Sequence, residues 1–130
     1  MVKEQYVDGY ENLKTLLETF KNTKENIYIY FTGKKDQNGL SWCSDCNDAA
    51  PVVKTAVEKF APADATLLYV DAGDRPYWKD PKNPFRHDVS LGKIQVIPTF
   101  IRYGKPQRLD GSDQCGKLDL LEMFFETDED

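Results

Sequence analysis

Two stretches of the chain are apolar or aromatic almost without a break, and the segment between them carries apolar residues at helical period. The run Asn26 to Thr32 (Asn-Ile-Tyr-Ile-Tyr-Phe-Thr) is β-branched and aromatic throughout. A strand with no polar face is buried on both sides, so this one is expected at the centre of a sheet. Thr66 to Asp71 (Thr-Leu-Leu-Tyr-Val-Asp) has the same character. Between them, Ala49, Val52, Val53, Ala56, Val57 and Phe60 recur at helical intervals, which predicts a helix over 47–60. Pro51 lies inside it and removes the N–H that would bond the Asn47 carbonyl, so a kink is expected there. Strand, helix and strand form a βαβ unit, and the right-handed crossover rule makes the two strands parallel neighbours.

Ahead of this unit, Asp8 and Glu11 have capping-box spacing, and Tyr10, Leu13, Leu16, Leu17 and Phe20 follow on one helical face. A first amphipathic helix ending near 21–24 is predicted. After the unit, 72–84 is rich in turn residues (Gly73, Pro76, Pro81, Pro84) with Tyr77 and Trp78 at its middle. A short helix over 85–91 and strands over 94–97 and 100–103 follow, the last two separated by Pro98. Tyr103-Gly104-Lys105-Pro106 marks a hairpin turn into an edge strand at 107–109. The final helix, about 117–125, is expected to bury Leu118, Leu121, Met123 or Phe124, and Phe125. Glu126 to Asp130 reads as an acidic, frayed tail. The expected fold is therefore α/β, a central mixed sheet with helices on both faces, in a single domain over 1–130.

Composition narrows the class of function. The 130 residues carry a net charge of −5, with 17 basic against 22 acidic side chains, and no basic stripe. That argues against a nucleic-acid or anionic-membrane surface. The longest apolar or aromatic run, Ile27 to Phe31, is too short to span a bilayer, and the N-terminus shows no signal-peptide core. Three cysteines are an odd number for a secreted disulfide framework. A cytoplasmic monomer is the expectation.

Candidate chemistry concentrates in Trp42-Cys43-Ser44-Asp45-Cys46. The two sulfurs are near enough in sequence to close a small disulfide ring. Cys43 would stand at or just before the first turn of the 47–60 helix, where unpaired N–H groups and the helix dipole favour a thiolate, the attacking species. Asp45 in that first turn favours the helix, but its charge opposes a neighbouring sulfur anion. It is expected to face solvent or to pair with a backbone N–H. A Cys-x-x-Cys pair also occurs in zinc sites, but here His87 and Cys115, the remaining ligand candidates, lack a second paired spacing.

Strand, Trp-Cys-x-x-Cys, kinked helix, strand and Ile97-Pro98-Thr99 before a hairpin resemble the layout of the thioredoxin fold. Tyr30-Phe31-Thr32-Gly33-Lys34-Lys35-Asp36, Ser41 to Cys46, Pro76-Tyr77-Trp78-Lys79-Asp80-Pro81 and Tyr103-Gly104-Lys105-Pro106-Gln107 extend that likeness to the Clot family within the thioredoxin superfamily. The resemblance covers nearly the whole chain, and the Pro-Tyr-Trp-Lys-Asp-Pro block is more specific than the cysteine motif. It implies a cis Ile97–Pro98 bond against the cysteine pair. It further implies a cytosolic disulfide reductase that holds no cofactor and is reduced by NADPH-dependent thioredoxin reductase. The implied targets are small disulfides such as cystine and some protein or nitrosylated thiols. One departure concerns Ser44, where the family usually has proline between the cysteines; a less stiff turn is expected to change the redox potential.

On this reading Cys43 attacks and Cys46, one turn inside the helix and more buried, resolves the mixed disulfide. Ile97 and Pro98 would offer backbone to an extended substrate, as an added strand does, and Trp42 would form one wall. Thioredoxins also place a buried acid on the central strand to deprotonate the resolving cysteine. The 27–31 strand has none, which leaves water or Asp45 for that step. Tyr77 and Trp78 either wall the groove or pin their own loop. His87 is expected at the surface, Cys115 as a partly buried or idle thiol away from the pair, and Lys34, Lys35 and Asp36 in a solvated loop. A binding or scaffold protein on the same fold, with little redox turnover, is the alternative function.

Overall fold

A computed structural model describes residues 2–126 of the chain. Its elements, in order, are β1 (Lys3–Asp8), α1 (Tyr10–Thr19), β2 (Asn26–Thr32), α2 (Ser44–Phe60), β3 (Ala65–Asp71) and α3 (Arg75–Lys79). Two 3₁₀ turns (Pro84–Arg86 and Val89–Leu91), β4 (Thr99–Arg102), β5 (Arg108–Asp110), α4 (Ser112–Cys115) and α5 (Leu118–Phe125) complete it. The strands form one sheet in the order β1-β3-β2-β4-β5. Pairing is parallel for β1–β3 and β2–β3, antiparallel for β2–β4 and β4–β5.

The wholly apolar β2 lies at the middle of this order, and its alternation serves two cores. Ile27, Ile29 and Phe31 pack toward α1 with Leu13, Leu17 and Phe85. Tyr28 and Tyr30 pack toward α2 and α5 with Val53, Phe100 and Phe124. Successive strand side chains point to opposite faces, so helices are needed on both. The tight turn at Tyr103–Pro106 is present, with Gly104 at φ 77° and Lys105 N–H donating to the Arg102 carbonyl at 3.0 Å.

The structure departs from expectation at several elements. An N-terminal strand, β1, precedes the first helix, and of its six residues only Val7 is buried. It exists through backbone pairing with β3 and carries little pattern of its own. Asp8 ends that strand, so the expected capping box does not form. Gly9 takes the cap position at φ 87° and makes no side-chain cap bond, while Asn12 Nδ2 donates to the Asp8 carbonyl at 2.7 Å. The helix stops at Thr19, short of 21–24. The 85–91 helix is two 3₁₀ turns, each begun by an acceptor side chain, Asn83 and Asp88.

Residues 94–97 are not a strand. Ile94 and Ile97 are buried, but the Ile94 N–H donates to the Phe85 carbonyl and the Val96 carbonyl accepts from Thr99 Oγ1, which leaves no ladder. In the last helix Leu121, Phe124 and Phe125 are buried, whereas Leu118 and Met123 lie outside. The expected tail beyond Glu126 falls outside the described residues.

One polar cluster fastens α1 to the 3₁₀ segment. Asp88 accepts from the Tyr10 hydroxyl at 2.6 Å and from Lys14 Nζ at 2.8 Å, and also from Ser90. Burial alone would push the Asp88 carboxyl up. The hydrogen bonds from Lys14, Ser90 and Tyr10, with the Lys14 charge, outweigh it and hold the carboxyl well below the usual carboxylate range. The Tyr10 phenol is pushed up to about 12, chiefly by that same bond. A carboxyl with a lowered folded-state pKa stabilises the fold above its unfolded value, about 3.9, and that contribution is lost as pH falls toward the folded value. Lys14 stays 38% exposed, so solvent screens the pair. Asp88→Asn should therefore cost about 1 kcal/mol at neutral pH. In denaturation curves across pH, the gap to the parent should narrow below about pH 4; a gap independent of pH would refute the assignment.

Candidate functional site

The site begins where β2 ends. Gly33 follows the strand, and a Cβ built on it would lie 2.8 Å from the Trp42 indole and 2.9 Å from Ser41 Oγ, so only glycine lets these groups approach. Ser41 is buried, donates its hydroxyl to the Gly33 carbonyl at 2.9 Å and accepts from Cys43 N–H at 3.1 Å. Asn47, in the first turns of α2, closes the arrangement. Its Oδ1 accepts from Ser41 N–H at 2.9 Å and its Nδ2 donates to the Ser41 carbonyl at 2.8 Å. The loop is thus clasped to the helix it introduces, and Cys43 takes the N-cap position.

At that cap the sulfur does what an oxygen usually does. Cys43 Sγ accepts from the Cys46 N–H at 3.2 Å, satisfying one of the helix's unpaired donors. Such a donor, together with the helix dipole, stabilises negative charge on that sulfur. Cys43 and Cys46 are joined as a disulfide, with Cα atoms 5.3 Å apart. Cys43 is 7% exposed and Cys46 3%. Both sulfurs are nearly covered, and the helix N–H, more than this narrow margin, distinguishes them. The Ile97–Pro98 bond is cis, and the Ile97 carbonyl oxygen lies 3.8 Å from Cys43 Sγ.

Trp42 is half-buried, its Nε1 donates to the Gly73 carbonyl at 2.9 Å, and the Arg75 guanidinium lies 4.9 Å from its ring centroid. The 72–84 excursion is therefore tied to the cysteine motif through this indole. Of the two roles left open for Tyr77 and Trp78, the structure shows the pinning role for Trp78. Trp78 is buried beneath Arg86, which stacks at 4.3 Å and donates to its carbonyl, so it pins the loop; Tyr77 remains exposed. Asp36 organises the 33–40 loop, accepting from the N–H groups of Asn38 and Leu40.

Ser44 and Asp45 are both exposed, so of the two placements expected for Asp45 the structure shows solvent. The strand interior, Ile27 to Phe31, is fully buried and carries no acid. His87 is exposed, its Nε2 2.6 Å from the Pro81 carbonyl oxygen. Cys115 differs from expectation. It is completely buried, in the core on the α5 side of the sheet, with its thiol directed at the carbonyls of Leu109 (3.5 Å) and Pro98 (3.7 Å). Burial, with the charge of Asp110 beside it, pushes that thiol up to about 12, so it stays protonated near neutrality. Rather than standing apart, it backs the turn whose front carries Ile97. Among the described residues no cluster of three or more His, Cys, Asp or Glu is arranged to hold a metal ion.

The residues missed in the sequence are Ser41, Asn47, Gly33 and Arg75. Ser and Asn flanking a helix start are capping residue types, and that was a usable signal for the first two. No local pattern marks the others.

Comparison with known proteins agrees with this geometry. Residues 6–127 match the family model described as thioredoxin domain-containing protein 17-like, thioredoxin domain. Thioredoxin domain-containing protein 17 of Homo sapiens is 38% identical over 126 residues, 97% of each chain, and that of Danio rerio is 40% identical over the same length, again 97% of each chain. The thioredoxin-like protein Clot of Arabidopsis thaliana is 35% identical over 97 residues, which is 75% of this chain and 66% of that relative. Among solved structures, reduced Schistosoma mansoni thioredoxin superposes with a TM-score of 0.57 at 22% identity, covering 95% of this chain and 99% of that one. That likeness establishes the thioredoxin fold. With a close Cys-x-x-Cys pair capping α2 and a relative 38% identical along nearly its whole length, the chain belongs to the thioredoxin domain-containing protein 17-like family of thioredoxin domains.

Proposed function

We propose that the protein is a cytosolic, monomeric disulfide reductase that acts on small disulfides such as cystine and on selected protein disulfides. In this reading NADPH-dependent thioredoxin reductase restores its dithiol. The observation that carries it is the helix N–H donated to Cys43 Sγ, with a second, more deeply placed sulfur one turn behind.

In the dithiol form, the Cys43 thiolate attacks one sulfur of the target. A Cys43–target disulfide forms, the target's sulfur–sulfur bond breaks, and the first target thiolate leaves and takes a proton from water. Cys46 then loses its proton to water, since Asp45 is exposed and β2 offers no acid. Its thiolate attacks Cys43 Sγ, expels the second target thiolate and closes Cys43–Cys46. Two electrons have passed from the dithiol to the target. In this reading Ile97, whose carbonyl lies beside the sulfur, and Pro98 border the path by which a target reaches Cys43, and Trp42 forms one wall of it. Ser44 and Asp45 tune the motif from the exposed side of the first turn.

The test is NADPH oxidation by thioredoxin reductase in the presence of this protein and cystine, insulin or glutathione disulfide in turn. Consumption of NADPH that requires both the protein and an added disulfide is expected. No consumption, with the two thiols intact and titratable, would refute the coupled reductase cycle and favour a binding or scaffold role.

A further inference from the structure

The chain has four arginines, and three of them are committed to the fold. Arg86 donates to the Trp78 carbonyl at 2.8 Å, Arg102 to Asn26 Oδ1 at 3.0 Å, and Arg108 to the Gly92 carbonyl at 2.7 Å and to both oxygens of Asp110. Arg75 is different. It is exposed, and its one hydrogen bond among the described residues is a long one, 3.5 Å from Nη2 to the Trp42 carbonyl, the peptide that leads directly into Cys43. No carboxylate among the described residues pairs with it. The neighbouring Asp74 is occupied at the start of α3, accepting from Tyr77 N–H at 3.0 Å.

Although no carboxylate among the described residues pairs with it, the guanidinium is held in place. It stacks on the Trp42 indole, and the indole is itself anchored to Gly73. A planar fork of donors fixed at one face and open at the other suits bidentate recognition of a carboxylate. It reaches the peptide that leads into Cys43, in a chain whose net charge of −5 would otherwise repel anions.

We propose that Arg75 forms a carboxylate subsite next to Cys43, selecting disulfides that carry a carboxylate within a few bonds of the sulfur. This rests on the reductase reading above and adds to it the residue that sets substrate preference. Arg75 is a specificity residue; it takes no part in the bond exchange.

Cystine and cystamine provide the comparison, since both carry ammonium groups and cystine alone carries carboxylates. Pre-reduced protein is mixed with each, and loss of its two thiols is followed without any reductase. The parent should prefer cystine, and the preference should weaken as salt is raised. The cystine-to-cystamine rate ratio should fall about three- to tenfold in Arg75→Ala, less in Arg75→Lys, and furthest in Arg75→Glu. A ratio cancels any general slowing caused by a displaced Trp42. A parent that reacts with neither disulfide refutes the reductase reading. A parent that reacts with both, with a ratio unmoved by Arg75→Lys, Arg75→Glu or salt, refutes the subsite alone.

Discussion

Cys43→Ser protein, fully reduced and mixed with cystine, should show no turnover, whereas Cys46→Ser should halt after one exchange with a half-cystine bound to Cys43. The asymmetry follows from the start of α2. Only Cys43 Sγ receives a helix N–H, and that donor stabilises sulfur as an anion in the attacking form. Cys46 stands one turn further in, receives no such N–H and adjoins no acid on β2, so it is the poorer attacking group and acts after Cys43 has reacted. Removing it leaves the first exchange intact and deletes the second. Intact-protein mass spectrometry under non-reducing conditions distinguishes the outcomes. An adduct on Cys43 should accumulate in Cys46→Ser and revert on reduction, and none should form in Cys43→Ser. Equal behaviour of the two variants would mean that attack and resolution are not divided between the sulfurs as the geometry requires.

Phe100→Ala should lower the free energy of unfolding by about 3–5 kcal/mol, the range for deleting a buried aromatic. Phe100 is fully buried in β4. Its ring centroid lies 4.8 Å from that of Tyr30, 4.9 Å from Phe124 and 5.5 Å from Phe125. It therefore joins the central strand to the last helix, and truncation opens a cavity that rigid rings on three sides cannot close. Aromatic pairs contribute roughly 0.5–1.5 kcal/mol beyond area burial, and several are lost together here. Against a typical stability of about 5–15 kcal/mol this is a large share. Denaturant unfolding, with the cysteine pair held in one redox state for both proteins, measures it. A loss under about 1 kcal/mol would mean that α5 repacks against the sheet without this ring.

Much of the architecture was readable because burial leaves a local imprint. β2 lacks a polar face since it is covered on both sides, and α2 shows its apolar stripe since it packs on one. β1 could not be read the same way. Five of its six residues face water, so it looks like polar chain until β3 supplies the hydrogen bonds. The 94–97 segment erred in the other direction: its isoleucines are buried in the core on the α1 side of the sheet and not by pairing in the sheet.

The site divides along the same line. Its reactive pair and the helix that caps on it were evident as residue types at short spacing, because a Cys-x-x-Cys turn and an N-cap are formed by neighbours in the chain; the proline beside them, more than fifty residues away, was placed there only by the resemblance to the thioredoxin fold. What surrounds the sulfurs was assembled only by folding: Gly33 against Trp42, the Ser41–Asn47 clasp, Cys115 behind Pro98, and Arg75 laid over the indole. Two of these contacts, Cys115 with Pro98 and Arg75 with Trp42, join residues far apart in sequence, and a contact of that kind leaves no period in either segment. The reactive pair is thus a local property of this chain, and the surroundings of its sulfurs are a property of how the loops meet around it.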